Sequence, residues 1–341
     1  MHSKRSALLI LAAIIGAILI SDSVRESIQN SLALCAQILI PALFPFFVLS
    51  GMLLDFGLDL LVPPPIAAFL IGLICGYPLG SRTVCDYFMQ GKLNTEQANG
   101  LLMCTANASP AFVVIAVGST VLENKTLGYT LLLCQSIAAA ILFCIFVPDK
   151  LQFAKSKAQT VTFSASLIGN IKKSGEQLLF VCACTAFFGI AFDLLTLSQW
   201  MTVPFFAVFT ACTELLHGIT LFHADKLYLI APVLGFSGFS VLMQCAFFVR
   251  KTTLQFHFVV VGKLMYGILL PALLCIFCFP SLQHKILAGM IIILTNTVAA
   301  CIIKGKGCEK ENDFFKRHRK MLCLLRTGHK NRHERTGSVS S

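Results

Sequence analysis

The reading of the fold turns on CGYPLGSR, residues Cys75 to Arg82, which closes the apolar run IAAFLIGLICGYPLGSR. Gly76 and Gly80 permit left-handed backbone and close approach, while Pro78 removes a backbone donor and ends a helix. Non-helical backbone at membrane depth is tolerated only where protein buries it or where it lines a water-filled cavity. The break therefore decides between a plain helix bundle and one built with discontinuous elements.

The surrounding composition makes the membrane setting firm. Of 341 residues, 56% are hydrophobic and 13% charged, the mean hydropathy is +0.80, and a soluble domain carries roughly 25% charged residues. Runs of bilayer length recur at 32–53, 127–147, 227–249, 258–279 and 286–303, each able to cross about 30 Å at 1.5 Å per residue. LLMCTANASPAFVVIAVGSTV and QLLFVCACTAFFGIAFDLL are equally long but polar in the middle. The first run, Ala7 to Ile20, follows Lys4 and Arg5 and reads as an uncleaved signal anchor, with a cleaved signal peptide as the alternative.

Lys and Arg mark the cytoplasmic side. They fall at Lys4 and Arg5, at Arg82 and Lys92, through Lys150, Lys155, Lys157, Lys172 and Lys173, at Arg250 and Lys251, and in the tail. If every apolar run crossed once, the Lys-rich segment 148–175 would face outward. If 66–80 and 204–221 instead enter and leave on one side as re-entrant hairpins, all the basic segments fall inside. The expectation is an all-α polytopic protein of about eight spanning helices with two re-entrant or broken hairpins.

A weak internal repeat supports using the hairpin twice. SIQNSLALCAQILIPALFPFFVLSG from Ser27 resembles LIGNIKKSGEQLLFVCACTAFFGIA from Leu167, pairing Asn30 with Asn170 and Gln37 with Gln177. CGYPLGS then answers to CTELLHG, and TANASPAF to GFSGFSV. Non-crossing hairpins make the two copies inverted, the sequence pattern of secondary transporters. The division expected is an anchor helix at 1–26, a first repeat at 27–150, a basic cytoplasmic loop at 151–175, a second repeat with terminal helices at 176–303, and a disordered basic tail at 304–341. That tail holds eleven Lys and Arg against four acids out of a net charge of +11. It suits anionic lipid headgroups rather than nucleic acid.

Polar residues inside the apolar runs are the candidate chemistry. Arg82 offers a planar fork for carboxylate beside a half-helix start near Ser81, or it anchors the loop at the interface. Thr105, Asn107 and Ser109 precede Pro110, which frees the carbonyl of Ala106; small-residue packing between helices is the other reading. Glu214 and His217 share a helical face and suit coupling to a proton, unless the run ends there and both are interfacial. Ser237, Ser240 and Gln244 follow the second break. Lys263 reads as snorkelling to the interface, and Asp55 and Asp59 as solvated loop residues. The fifteen cysteines are mostly scattered singly as small hydrophobes, and Cys275 with Cys278 lacks a second pair. No nucleophile elbow, P-loop, H-E-x-x-H or dinucleotide fingerprint occurs. Neither enzymatic activity, nor a cofactor, nor a metal is expected.

LIPALFPFFVLSGML, GYPLGSR, CTANASPAFVVIAVGSTVL, TELLHG and GFSGFSVLMQ together resemble the sporulation integral membrane protein YlbJ family, also called SpoVV, within the group carrying the nucleoside-recognition Gate domain. The resemblance covers about residues 27 to 280. The family pattern carries Thr at the place of Leu216, Gly at Ser237, and a His before the glutamine where this chain has Leu242 and Met243. The resemblance implies a multi-pass transporter in the mother-cell-derived outer forespore membrane, moving dipicolinic acid toward the forespore. Its substrate, a planar dianion, would take Arg82 and half-helix ends for carboxylate, Asn107 and Ser240 for other acceptors, and Tyr77 or a Phe for the ring. Ser109, Ser237 and Gln244 complete the expected substrate set. A Gate-domain carrier of nucleosides or another metabolite, and a non-transporting membrane scaffold, are the alternatives; an oligomer is compatible with each.

Overall fold

The computed structural model describes residues 20–147, 161–197, 204–222 and 227–278, with scattered positions before residue 20 and between 289 and 295. Part of the expected anchor run, most of the run 286–303 and all of the basic tail lie outside the described residues.

Every regular element among the described residues is helical. Helix α1 (Ser21–Leu34) passes through a π turn (Cys35–Leu39) into α2 (Ile40–Asp55), and the short α3 (Leu58–Leu61) follows. Pro64 and Pro65 start α4 (Pro64–Cys75), where missing N–H groups cost nothing. After the turn at Gly76 to Pro78 comes α5 (Leu79–Met89). A capping box between Asn94 and Gln97 starts α6 (Thr95–Cys104). Beyond an irregular stretch, the chain rewinds as α7 (Phe112–Val121), a π helix in which the Ser119 and Thr120 hydroxyls donate to carbonyls five residues back. Asn124 caps α8 (Lys125–Phe146).

The same order then recurs. The long α9 (Phe163–Thr196) is followed by the short pair α10 (Pro204–Ala211) and α11 (Leu215–Thr220). A helix broken at Ser237 comes next, as α12 (Leu227–Phe236) and α13 (Gly238–Val249), and then the long α14 (His257–Cys278). Among the described residues, five stretches are long and apolar enough to cross a membrane: Ser21–Asp55, Lys125–Phe146, Phe163–Thr196, Leu227–Val249 and His257–Cys278.

Three sequence expectations change here. The stretch 151–175 is not a loop throughout, because from Phe163 it is already α9, capped by Thr162. Its 34 residues extend about 51 Å, well beyond about 30 Å of hydrocarbon. Asp55 and Asp59 are not free loop residues: the half-buried Asp55, at the end of α2, accepts from Ser166 at 2.8 Å and Asn170 at 2.7 Å, and the buried Asp59 pairs with Lys92 at 2.7 Å. The aligned Asn30 and Asn170 do not share a role either. Asn30 is exposed, whereas Asn170 ties α9 to the end of α2.

Two of the glycines that opened the sequence reading do different work. Gly76 has φ +73° and approaches the backbone of Asn107 and Ser109 so closely that a Cβ would sit 2.6 Å from the Ser109 nitrogen. Gly80 lets α5 lie against α4 and the Thr105 carbonyl, with which any Cβ would collide. Gly80→Val should therefore lower stability by about 3 kcal/mol or more. Gly169→Ala, facing open space on α9, should be neutral or stabilising by up to about 1 kcal/mol. Thermal unfolding of the two variants in detergent checks the contrast.

Candidate functional site

Each short helix pair presents its turn to the break in the helix that follows it. In the first half the turn carries the cis Tyr77–Pro78 bond. The Tyr77 N–H donates to the Asn107 carbonyl at 2.6 Å. The backbone that Pro110 leaves irregular is held from a third direction by Gln135 of α8, which donates to the Ala108 carbonyl at 2.8 Å and accepts from its N–H at 3.3 Å. This two-way clamp replaces the helical bonds that the break forgoes.

Side chains around that break have separate jobs. Thr105 returns its hydroxyl to the Leu101 carbonyl at 2.8 Å, and Ser109 accepts from the Phe112 N–H, capping α7. Asn107 donates to the Cys104 carbonyl at 2.8 Å, and the Tyr266 hydroxyl donates to the same oxygen at 3.0 Å. Asn107 Oδ1 is buried with no hydrogen-bond partner among the described residues. An unsatisfied buried acceptor costs roughly 1–3 kcal/mol, which marks it as a group available to a ligand donor.

In the second half the turn lies between α10 and α11. Its Cys212 and Thr213 carbonyls accept from Phe239 at 2.8 Å and Ser240 at 3.3 Å, the first N–H groups of α13. Glu214, buried at 2% exposure, caps α11. Its Oε2 accepts from the His217 N–H and meets His217 Nδ1, both at 2.9 Å, while Oε1 accepts from the Ser240 hydroxyl at 3.1 Å. His217 Nε2 stands 3.2 Å from Ser31 Oγ on α1. With Nδ1–H pointing to the carboxylate, the neutral ring accepts from Ser31; protonated, it would donate on both sides. The chain Ser31, His217, Glu214, Ser240 joins α1 through α11 to α13.

Lys263 lies at the middle of this assembly, against the expectation that it snorkels. It is 2% exposed, its Nζ donates to Ser237 Oγ at 2.7 Å, and it sits 5.0 Å from the Tyr77 ring centroid and 5.8 Å from that of Tyr266. Close packing of α14 on α6 at Gly262 and on α12 at Gly235 encloses it. Ser237 adopts φ +67° and also donates to the Leu234 carbonyl at 2.9 Å.

Thus the structure gathers Tyr77 with Lys263 and Ser237, Asn107 with the Tyr77 backbone, and Glu214 with His217 and Ser240. Ser109 acts as a cap. Gln244 is buried on α13 with Oε1 lacking a partner among the described residues. Arg82 stands elsewhere: it pairs with Asp86 at 3.3 Å and, with Lys173, lines two adjoining cavities of about 380 and 340 Å³. The first also meets Glu176, Phe180 and Lys251; the second meets Asp55, Asp59 and Lys92. Sequence reasoning missed Gln135, Tyr266 and Ser31. A lone amide inside the apolar LLLCQSIAAA was a signal for the first; an ordinary serine on α1 gave none for the last.

No family model and no solved structure matches the chain. It is similar to the sporulation integral membrane protein YlbJ of Bacillus subtilis (strain 168), with 21% identity over 305 residues covering 71% of this chain and 74% of that protein. The similarity supports that family and, with the five long apolar helices, an integral membrane location.

The Glu214 network carries its own test. Glu214→Ala removes a helix cap, the His217 partner and the Ser240 acceptor together, with an expected loss of about 3 kcal/mol. Glu214→Gln keeps the shape and part of the bonding, with an expected loss of about 1 kcal/mol. Equal unfolding midpoints for Glu214→Ala and wild type in detergent would show that the network is not holding α11 in place.

Proposed function

We propose that the protein is a membrane transporter of a small anionic metabolite, and that the metabolite is dipicolinic acid moving from the mother cell to the forespore across the outer forespore membrane. The observation that carries the reading is the docking of two helix-pair turns on two broken helices, with Tyr77, Asn107, Lys263, Glu214 and Ser240 gathered at the junctions. Irregular backbone at membrane depth is tolerated where protein buries it or where it lines a water-filled cavity, and its occurrence in corresponding places of two repeats is the pattern of a transporter's binding site.

The short pairs are re-entrant hairpins in this reading. Their helices of 12, 11, 8 and 6 residues reach at most about 18 Å, short of about 30 Å of hydrocarbon. The recurring element order then forms an inverted repeat in a Gate-domain-like carrier of about eight spans, counting runs beyond the described residues. Rocking of one half against the other would expose the junction to each side in turn. Arg82, already paired with Asp86, belongs to a basic vestibule with Lys173 and Lys251 that concentrates anions before they reach the centre. Glu214 and His217 carry the coupling proton, passing between carboxylate and imidazole across 2.9 Å. Neither an enzymatic activity nor a resident cofactor enters this reading, and the lipid bilayer and the solute are the partners it needs.

The similarity to a sporulation membrane protein supports the developmental setting. The alternative substrate class, a nucleoside, finds uncharged donors and acceptors in Asn107 and Gln244 but no use for a buried ammonium. A non-transporting scaffold would leave Asn107 and Glu214 replaceable.

Uptake of labelled dipicolinate into vesicles holding the purified protein tests the proposal. Saturable uptake is expected, reduced at least about tenfold in Glu214→Gln if its proton is coupled to transport. No uptake by a correctly folded protein, or nucleoside uptake in its place, would overturn it.

A further inference from the structure

We infer that Lys263, packed among Tyr77, Tyr266 and Ser237, binds the anionic group of the solute. The assignment deepens the transporter reading and rests on it. It names an attachment point different from Arg82, which the family resemblance implies for a carboxylate.

The argument starts from charge balance. An ammonium has three donors, and among the described residues Lys263 meets a single oxygen, Ser237 Oγ. The ion pairs among those residues are Arg82 with Asp86, Lys92 with Asp59, and His217 with Glu214, so no carboxylate lies within 4.0 Å of Lys263. An isolated buried ion costs several kcal/mol; the two tyrosine faces at 5.0 and 5.8 Å return about 2 kcal/mol or more apiece but supply neither a countercharge nor hydrogen-bond acceptors for the two remaining N–H groups. Charged groups in this position mark a functional site whose partner must be named. Arg82 already has its carboxylate at 3.3 Å; Lys263 does not.

Geometry then indicates the class of partner. The cation lies where the first hairpin turn (Tyr77), the second broken helix (Ser237) and α14 meet, so an anion bound there would touch both halves of the repeat. Of the three residues around the ammonium, Ser237 and Tyr266 are buried and Tyr77 is half-buried, the most exposed of the three. Glu214 reaches the same break at Ser240, three residues on, and its own bonds are taken by His217 and Ser240 rather than by Lys263. A carboxylate would supply the counter-charge and the missing acceptors, and a flat ring behind it would lie along the tyrosine faces. The groups around Lys263 therefore suit a small aromatic carboxylate by their chemistry.

The test uses the full-length protein purified in detergent, with thermal unfolding read against increasing benzoate, pyridine-2,6-dicarboxylate, or the uncharged pyridine-2,6-dicarboxamide. Wild type should be stabilised by at least one of the carboxylates and not by the amide. Lys263→Met should unfold at the same temperature or higher without ligand, because a buried charge has been removed, yet bind carboxylate at least about tenfold more weakly. Lys263→Arg, which keeps the charge, should bind within about tenfold of wild type, and this variant decides the matter if Lys263→Met does not fold. Unchanged affinity in Lys263→Met, or no stabilisation of wild type by either carboxylate, overturns the assignment. Vesicle uptake separates this from the wider reading: transport with unaltered affinity in Lys263→Met refutes the Lys263 site alone, whereas Lys263-dependent binding without any transport upholds the site and refutes the carrier.

Discussion

Backbone amides and carbonyls that leave a helix inside the bilayer must find partners in the protein, since lipid offers none. The rest of the structure follows from how this chain meets that constraint. At the first break Tyr77 takes the Asn107 carbonyl and Gln135 takes both groups of Ala108; at the second the Cys212 and Thr213 carbonyls receive the opening N–H groups of α13. Each turn thus completes the next helix. Neither the short pairs nor the broken helices would be stable alone, and the two halves meet the requirement with different residues in the same order.

Charge is distributed by the same logic. Glu214 serves first as a helix cap and only then as a partner for His217 and Ser240, so one carboxylate fixes the α11 start, an imidazole and the α13 start together. Asp59 is buried because Lys92 meets it, and Asp55 is held by Asn170 and Ser166. Lys263 departs from the pattern, being enclosed by a hydroxyl and two rings rather than by a countercharge. Such an exception to consistent local bonding is expected where a protein does something besides fold.

Much of this architecture was legible in the sequence because helix breakers are local. Gly76, Pro78, Pro110 and the Gly238 neighbourhood announce themselves by residue type, and Glu214 stands out as an acid in an apolar run. Roles that depend on tertiary approach were not legible. Lys263 reads as a snorkelling residue until α6 and α12 close over α14. Asp55 and Asp59 read as solvated until α9 and Lys92 cover them. Arg82 reads either as a carboxylate ligand or as an interfacial anchor, and the Asp86 one turn on, with which it pairs, was legible by spacing alone. The repeat alignment matched Asn30 to Asn170 by letter, yet one is exposed and the other buried, because weak internal similarity preserves the order of elements better than the register of side chains.

The central claim is that the two breaks line a route open to water and to an anion. The most direct measurement is the rate at which an aqueous, membrane-impermeant thiol reagent modifies Ser240→Cys in an otherwise cysteine-free protein that keeps the wild-type unfolding temperature, with and without dipicolinate. The account predicts modification that dipicolinate slows. A thiol that stays unreactive from both sides of the membrane, or one whose reaction dipicolinate leaves unchanged, would contradict it.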